Sequence, residues 1–345
     1  MPISRPFPAF RSRRMRRYEW SRALVCEHRL HPNDFILPIF VHDKTVSEPI
    51  KSMPGVVRHS LEDLLATCEM ALRAEIPAIA IFPVIPEEKK DRNGTEALRE
   101  DNILLQAIAI VRKQKWPLGI ITDVALDPYT THSHDGILKK DGTVDNDKTI
   151  HILAKQACLQ AHAGADIIAP SDMQDGRIGV IRKALDTKEH TEVGILSYTA
   201  KYASVFYGPF RDAIGAHGLQ SNTNVYAKDK KHYQLAPSNR DEAIHVANQS
   251  LQEGADCLMV KPGMPYLDII QTLKEKCQAP VFAYQVSGEY SMLKSLAQTM
   301  GKDDDEIFLE ASLCLKRAGA QNILSYHAIQ LARALQAGKD PCNYR

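Results

Sequence analysis

The sequence predicts an α/β protein with a (β/α)8 barrel of the TIM type and an extended N-terminal arm. Three observations predict this fold: eight short apolar runs rich in β-branched residues, amphipathic helical patterns between them, and glycine at repeated joints from helix to strand. Strands and helices in this alternation close into a parallel barrel, for which ~250 residues are typical. An open doubly wound sheet is the alternative, but no GxGxxG motif follows the first run. The predicted strands are residues 35–41, 77–83, 118–126, 166–170, 194–199, 257–260, 281–286 and 322–326.

The helical segments carry their own start and stop signals. Ser60 precedes an amphipathic stretch over residues 61–72, and Asp63 follows it by three residues, which is typical of a helix N-terminus. Gly164, Gly254 and Gly319 each stand just before a predicted strand. We expect a left-handed backbone at these glycines, because that conformation ends a helix without a Cβ clash.

Composition limits the function. The 345 residues include 43 Lys and Arg and 42 Asp and Glu, so the net charge is +1, and 44% of the residues are apolar. Length alone suggests about two domains of ~150 residues, but α/β barrels often exceed this size as single units. We therefore predict an arm over residues 1–33 and a barrel over residues 34–345. A neutral chain is not expected to bind nucleic acid generally, and no apolar run approaches the ~20 residues of a membrane span.

The cysteines and the N-terminus bear on the compartment. The seven cysteines are odd in number, irregularly spaced and free of any CxxC pair. This pattern does not favour a disulfide framework or a zinc ribbon, and it predicts reduced thiols. Because the first residues also lack the apolar core of a signal peptide, we expect a cytoplasmic protein.

The first 20 residues are strongly basic and almost free of acidic side chains. This composition fits a transit peptide, a nucleic-acid-binding arm or an arm that grips a partner subunit, and it does not decide among the three. The arginines are Arg5, Arg11, Arg13, Arg14, Arg16 and Arg17.

Two lysines follow neighbouring predicted strands, at the end of the barrel where active sites of this fold lie. Lys261 directly follows the apolar run 257–260, where a charge is costly, and Lys201 has the corresponding position one strand earlier. A lysine amine attacks a carbonyl only when neutral, and both burial and a second cation lower its pKa. The pair therefore favours Schiff-base chemistry. The alternative is that one or both lysines pair with a carboxylate or bind phosphate.

A second cluster lies after the third predicted strand, where residues 123–136 are dense in potential metal ligands. Because this stretch contains no thiolate, it favours a hard cation on aspartate oxygens over a tightly held zinc. An Asp/His metal-dependent hydrolase on the same barrel is the alternative enzyme, and a barrel kept for assembly is the non-enzymatic hypothesis. The ligand types are Asp123, Asp127, His132, His134 and Asp135.

Arg211 and Lys230 lie in the long predicted loop over residues 206–240. We interpret this loop as a lid, on which a guanidinium suits a substrate carboxylate because it can donate two parallel hydrogen bonds. The alternative is a salt bridge within the lid, for example with Asp212.

Five motifs resemble the porphobilinogen synthase family, also called the 5-aminolevulinate dehydratase family. The resemblance runs from residue 37 to residue 326. It implies that two molecules of 5-aminolevulinate condense to porphobilinogen with loss of two waters, an early step of tetrapyrrole and heme biosynthesis. The motifs are APSDM at 169–173, SYTAK at 197–201, FYGPFRD at 206–212, MVKPGMPYLD at 259–268 and VSGE at 286–289.

The resemblance implies roles for individual residues. Lys261 matches the lysine that forms a Schiff base with the substrate supplying the propionate side, and Lys201 matches the lysine of the acetate side. Asp123 matches a carboxylate near the proton transfers. The implied substrate-binding residues are Ser287 and Tyr326 for the propionate-side carboxylate, Arg211 and Lys230 for the acetate-side carboxylate, and Ser171 near the propionate-side substrate.

The resemblance also bears on metals. Zinc-dependent relatives carry three cysteines where this chain has Ala125, Asp127 and Asp135. This departure implies the branch activated by magnesium at an allosteric site, with no zinc in the active site. Glu242 matches the allosteric magnesium carboxylate, although a carboxylate at the start of a helix is also favoured by the helix dipole. Asp127 and Asp135 are candidates for a hard or monovalent cation, K⁺ or Na⁺.

His134 and His232 lie in regions where zinc-type relatives hold a second, weaker zinc, and they form a candidate accessory metal site. The family resemblance further implies a homo-octamer in which the N-terminal arm wraps the barrel of a neighbouring subunit. On that basis we interpret the arginine-rich segment as a subunit interface, with a small-molecule substrate and neither nucleic acid nor membrane as partners.

Overall fold

Parallel strands form a closed barrel in the computed structural model, which describes residues 7–216 and 228–339. Within these residues the barrel has eight strands, each pairs with the next, and the last pairs with the first, so the predicted (β/α)8 fold is confirmed. Every predicted strand is present, and its ends differ from the prediction by at most two residues. The barrel strands are β1 (Phe35–Val41), β4 (Ala78–Pro83), β5 (Gly119–Val124), β6 (Ile167–Pro170), β7 (Gly194–Lys201), β8 (Cys257–Lys261), β9 (Val281–Gln285) and β10 (Asn322–Ser325).

The helices pack around the outside of the barrel and bury the outer faces of the strands. Every residue of β1 and β9 is buried, which explains why β1 is continuously apolar and why β9 is apolar up to Gln285 rather than alternating. The helices are α1 (Glu19–Leu24), α2 (Leu61–Arg73), α3 (Ile103–Lys113), α4 (Asn146–Ala163), α5 (Arg177–Thr187), α6 (Gly208–Ala213), α7 (Asp241–Gln252), α8 (Leu267–Lys276), α9 (Ser287–Met300), α10 (Asp304–Ala318) and α11 (Ala328–Gln336).

The predicted helix signals are confirmed. The side chain of Ser60 accepts a hydrogen bond of 3.2 Å from the backbone N–H of Asp63 at the start of α2. Gly164, Gly254 and Gly319 have φ angles of +111°, +102° and +113°, which are left-handed values that favour glycine. These caps let the chain turn directly from a helix into the next buried strand.

Several short strands and helices were not predicted, because each is too short to show a periodicity. A hairpin of β2 (Glu48–Pro49) and β3 (Val57–His59) extends the sheet beside β1. Helix α6 lies inside the segment that the sequence predicts to be a loop. The middle of that segment, residues 217–227, lies outside the described residues.

The N-terminal arm has little regular structure and exposes apolar side chains. It contains a 3-10 turn over Ser12–Arg16 and helix α1, and the side chains of Phe7, Trp20 and Leu24 are 75%, 63% and 72% exposed. The division into arm and barrel stays a prediction. Within the described residues, no helix has the length and hydropathy to cross a bilayer.

One irregularity sets the relative height of the two lysines. Ser197 of β7 is level with Leu258 of β8, but Ala200 is level with Val260, so β7 contains one extra residue between these points. This is a β-bulge. As a result Lys201 lies directly opposite Lys261 at the carboxyl ends of the two strands.

Candidate active site

Lys261, the last residue of β8, lies in a box of aromatic rings. It is 5% exposed and forms no ion pair with any described carboxylate. Burial and the nearby Lys201 ammonium lower the pKa of Lys261 to about 7, against the opposing charge of Asp123. A substantial fraction of this amine is therefore neutral at physiological pH. Its Nζ lies 4.4, 4.9, 5.1 and 5.6 Å from the ring centroids of Tyr284, Phe210, Tyr198 and Tyr207.

Lys201, the last residue of β7, is surrounded by polar oxygen atoms, whereas Lys261 is surrounded by aromatic rings. Its Nζ is 3.0 Å from Oδ1 of Asp135, and it also donates to the backbone carbonyl of Ser171. Ser171 directly follows β6, and Asp135 lies in the loop after β5. Because the two contacts come from different segments, they fix the direction of the Lys201 side chain. One lysine of the pair therefore faces carboxylate oxygen and the other faces aromatic rings.

Asp135 is the centre of a buried charge network. Its Oδ2 lies 2.6 Å from Nζ of Lys230, whose ammonium is also 3.0 Å from Oδ2 of Asp127. Burial alone would raise the pKa of Asp135, but the Lys201 and Lys230 ammonium groups outweigh burial and hold that pKa well below its usual range. Similarly, burial would lower the pKa of Lys230, but the charges of Asp127 and Asp135 raise it.

The sequence did not reveal that Tyr233 belongs to this network. Its hydroxyl donates to Oδ2 of Asp135 at 2.7 Å and lies 3.2 Å from Nδ1 of His134. No motif or spacing signals this contact, because Tyr233 and Asp135 are 98 residues apart in the chain. Its nearness to Lys230 in a loop is the only hint that the sequence offers.

Asp123 lies at the end of β5 beside the two lysines. Burial and the charge of Asp127 raise the pKa of Asp123 to about 6, while the charges of Lys261 and Lys201 lower it. Its Oδ1 is buried and has no hydrogen-bond partner among the described residues. A carboxyl group that titrates near neutral pH can both accept and release a proton during a reaction.

These side chains surround one small cavity at the carboxyl ends of the strands, with a volume of about 30 Å³. Seven of the predicted site residues line it, and Asp135 contacts two of them from behind. The roles that the sequence assigns to these residues stay predictions. The lining residues are Asp123, Asp127, Ser171, Lys201, Tyr207, Phe210, Arg211, Lys230, Gln234 and Lys261.

Arg211 reaches the cavity from helix α6, whose carboxyl end is firmly attached to the barrel. The guanidinium of Arg58 donates to the carbonyls of Asp212 and Ala213, both at 2.7 Å. The carboxylate of Asp212 accepts a hydrogen bond of 2.5 Å from Ser52, so it is not the partner of Arg211. Within the described residues Arg211 forms no ion pair, which leaves its guanidinium available to an anion.

Ser287 and Tyr326 lie behind the cavity wall rather than in it. Ser287, the first residue of α9, accepts a hydrogen bond of 2.8 Å from the backbone N–H of Phe210. The hydroxyls of Tyr326 and Tyr284 are 2.9 Å apart. Each is thus one contact away from a ring that faces Lys261.

The candidate metal ligands differ in how well they fit a cation. Glu242 is exposed in the first turn of α7, and its Oε2 accepts a hydrogen bond of 2.8 Å from Asn239. A single carboxylate completed by waters is ordinary for magnesium, so this position fits that ion. Asp127 and Asp135 do not fit a further cation well, because lysine ammonium groups already lie against their oxygens.

The histidines form a loose group beside the charge network. The ring centroid of His134 lies 5.7 Å from that of His132 and 5.6 Å from that of His232. Burial lowers the pKa of His132 to about 4, and its Nδ1 accepts from the backbone N–H of His134. Across residues 7–216 and 228–339, no three His, Cys, Asp or Glu side chains are arranged to hold a metal ion.

The fold and this site together define an enzyme on a (β/α)8 barrel, with two lysines side by side at adjacent strand exits. A family model described as delta-aminolevulinic acid dehydratase matches residues 9–334. The chain is 45% identical to the delta-aminolevulinic acid dehydratase of Bradyrhizobium diazoefficiens over 95% of this chain and 91% of that protein. It is also 45% identical to delta-aminolevulinic acid dehydratase 1, chloroplastic, of Arabidopsis thaliana over 97% of this chain and 76% of that protein.

A solved structure agrees with these relatives. It is the Toxoplasma gondii delta-aminolevulinic acid dehydratase (porphobilinogen synthase) in complex with the reaction product porphobilinogen. The TM-score is 0.90 at 43% identity, and the match covers 94% of this chain and 91% of that chain. The chain belongs to the delta-aminolevulinic acid dehydratase family. The alternative of an Asp/His metal-dependent hydrolase therefore has no support.

Proposed function

We propose that this enzyme condenses two molecules of 5-aminolevulinate to porphobilinogen, and that Lys261 and Lys201 each hold one substrate as a Schiff base. The observation that carries the proposal is the pair of opposed lysines in unlike surroundings. The two substrates are chemically identical, whereas the product is asymmetric. Two amines with different environments can hold identical molecules in different roles.

Lys261 is the amine better prepared for attack, because burial and Lys201 lower its pKa to about 7. Its nitrogen lone pair forms a bond to the ketone carbon of one substrate, and the resulting hydroxyl then leaves as water, giving the imine. That departure requires a proton. Asp123 lines the same cavity, and because burial raises its pKa to about 6, this carboxyl group is suited to give and take that proton.

Lys201 requires a proton acceptor before it can react in the same way. Asp123 lines the same cavity and has its pKa raised to about 6, so it is suited to take that proton. Asp135, 3.0 Å from Nζ and with its own pKa held low, orients the ammonium instead. A C–C bond then forms at the ketone-derived carbon held by one lysine, and a bond from a substrate amino nitrogen forms at the carbon held by the other. At each carbon the bond to lysine breaks, and the amine leaves with a proton taken from the substrates. Each ketone oxygen leaves as water, so the net loss is two waters for each porphobilinogen.

The substrate carboxylates need cationic or hydrogen-bonding partners at the cavity. Arg211 is suited to the acetate-side carboxylate, because no described residue neutralises it. Lys230 shares this role only in part, since Asp127 and Asp135 already compensate its charge. Ser287, Tyr326 and Ser171 are the proposed hydrogen-bonding groups on the propionate side.

Incubation with 5-aminolevulinate tests this function directly. We expect porphobilinogen as the product, and we expect borohydride to trap covalent substrate on Lys261, located by peptide mapping. Turnover without any adduct on Lys261 would reject the Schiff-base assignment while leaving the reaction itself intact.

On the acid side of the pH profile, the fall in kcat/KM should reflect protonation of the Lys261 amine. Because the neutral amine is the reactive form and burial lowers its pKa to about 7, kcat/KM should rise with pH through that value. Below it, kcat/KM should fall by about tenfold per pH unit, since one proton inactivates the free enzyme. Initial rates between pH 5.5 and 9 check this, and a flat profile across pH 6–8 would contradict it.

We further propose that the enzyme belongs to the magnesium-responsive, non-zinc branch. Two features support this: aspartate oxygens rather than thiolates at 127 and 135, and a carboxylate at Glu242 that fits magnesium. Magnesium bound there would neutralise negative charge at the start of α7 and take no part in bond making. Potassium or sodium is proposed only as an accessory ion.

Metal removal tests this branch assignment. After treatment with EDTA, added magnesium should restore activity by about 5-fold or more, which is the usual range of allosteric coupling. Glu242→Gln should remove that stimulation, whereas Glu310→Gln, an exposed change on α10, should not. Full inhibition by a zinc-selective chelator without rescue by magnesium would assign the enzyme to the zinc-dependent branch instead.

We propose a cytoplasmic homo-octamer in which the basic arm contacts a neighbouring subunit. The exposed Phe7, Trp20 and Leu24 of the arm support a partner surface. The plant relatives are described as chloroplastic, so a fluorescent fusion in the source cell is the appropriate test of location. Light scattering of the full chain and of a variant lacking residues 1–24 tests the assembly, and an unchanged oligomeric state would exclude this segment from it.

A further inference from the structure

Glu289 is a fully buried carboxylate that the reaction as described does not use. It lies in the first turn of α9 and is 0% exposed. Within the described residues no lysine or arginine is ion-paired with it. Burial raises the pKa of Glu289 to about 7, and hydrogen bonds from three backbone N–H groups oppose that rise. A buried carboxylate is costly, so its contacts need an explanation.

Those three hydrogen bonds connect the segments that follow two different strands, β8 and β9. Oε1 accepts from the backbone N–H of Met264 at 2.6 Å, and Oε2 accepts from that of Gly263 at 3.2 Å. Gly263 and Met264 follow Lys261 by two and three residues. Oε2 also accepts from the N–H of Val286 at 2.7 Å, directly after β9. One side chain thus ties the segment that carries Lys261 to the segment that carries Ser287.

The same position is coupled to the segment that carries Arg211. The side chain of Ser287 accepts from the backbone N–H of Phe210, one residue before Arg211. A Cβ atom built on Gly288 would lie 2.5 Å from the carbonyl oxygen of Phe206, so the two backbones are in close contact. A shift at the start of α9 would therefore be transmitted to α6.

A helix cap alone does not explain this arrangement. A glutamate at the third position of a helix commonly reaches back to the N-cap N–H, as Glu289 does to Val286. The bonds to Gly263 and Met264 lie outside that helix and contribute nothing to its cap. They hold the backbone just after Lys261 against α9.

We propose that Glu289 is a positioning residue for the condensation, which holds the exits of β8 and β9 in the relative arrangement that directs Lys261 at its substrate. This inference rests on the proposed Schiff-base role of Lys261. Glu289 does not touch the reacting atoms. It acts on Lys261 through Gly263 and Met264, and on the carboxylate-binding side through Ser287.

Glu289→Gln tests the proposal with nearly unchanged shape. The amide nitrogen cannot accept a hydrogen bond, so at least one of the three backbone N–H groups loses its acceptor. We expect kcat, and the rate of borohydride-trapped adduct formation on Lys261, to fall by about 10- to 100-fold, because displacement of a reacting group is costly. Leu293→Ala, a buried change on the same helix, is the control for lost stability alone.

These measurements distinguish a positioning role of Glu289 from a general loss of stability. They also distinguish failure of this inference from failure of the proposed function. Leu293→Ala should lower Tm but keep wild-type adduct formation on Lys261 at a temperature where it is folded. If Glu289→Gln is folded and traps Lys261 at the wild-type rate, the inference is wrong. If the wild type itself forms no adduct on Lys261, the proposed function fails instead. Should Glu289→Gln not fold, Glu289→Asp keeps the charge but shortens the reach, and a wild-type adduct rate in that variant would equally overturn the inference.

Discussion

Lys261→Ala is expected to lower kcat by at least about 10⁴-fold, the scale seen when a nucleophile is removed from an enzyme. The cause is chemical: among the described lysines, Lys261 is the one whose pKa burial lowers toward neutrality. Lys201 cannot replace it, because its ammonium is held by Asp135 and by the Ser171 carbonyl. Steady-state production of porphobilinogen and peptide mapping after borohydride measure the loss.

The fold should survive this change, which separates chemistry from stability. Lys261→Met fills a similar volume with an apolar side chain that suits the four surrounding rings, and it removes a buried amine that has no described ion-pair partner. We therefore expect a Tm at or above that of the wild type together with the same loss of kcat. Lys113→Ala, an exposed change on α3, should leave both unchanged. Substantial turnover in Lys261→Met would refute the assignment of this amine.

Asp135→Asn is expected to cost about 3–5 kcal/mol of the free energy of unfolding at neutral pH, because it leaves buried charge uncompensated. The carboxylate lies 3.0 Å from Nζ of Lys201 and 2.6 Å from Nζ of Lys230, and it is fully buried. Without it, the ammonium of Lys201 would lose its described carboxylate partner, and that of Lys230 would keep only Asp127. Urea denaturation of wild type and variant measures the difference.

The sign of the pH dependence follows from the lowered pKa of Asp135. A carboxylate with a depressed pKa stabilises the fold above its unfolded pKa and loses that contribution as pH falls through the folded value. The difference between wild type and Asp135→Asn should thus be largest at neutral pH and decline below about pH 4. Adding Lys201→Met to Asp135→Asn should recover part of the loss, because it removes the ammonium that the variant leaves without a described carboxylate partner. A variant as stable as the wild type would show that the network contributes no net stability.

The barrel could be predicted from the sequence because its signals are local. The eight runs are predominantly apolar, and the glycine caps at Gly164, Gly254 and Gly319 lie three residues before their strands. Strands this uniform arise when both faces are buried, so the pattern and the fold share one cause. The hairpin of β2 and β3 escaped prediction because two- and three-residue strands have no measurable period.

The candidate site was predictable only in part. Lys201 and Lys261 stand out because each is a charge at the end of a buried strand, and that exception is visible in a single segment. The aromatic box around Lys261 is not visible, because its rings come from β7, β9 and the α6 region. Likewise, the pairing of Lys230 with Asp127 and Asp135 joins residues about 100 positions apart. Contacts of this kind depend on the closed barrel and leave no spacing in the chain.

The bulge in β7 restricts which changes in sequence length the enzyme can tolerate between Ser197 and Lys201. If the same sequence continued the register set at Ser197 and Leu258 without a bulge, Ala200, not Lys201, would lie level with Lys261. Side chains also alternate along a strand, so a one-residue insertion that shifted this register would turn Lys201 away from the barrel mouth. The spacing between the two amines is therefore a property of strand alignment. Insertions in this short stretch should be far less tolerable than substitutions, even where every chemically active side chain is retained.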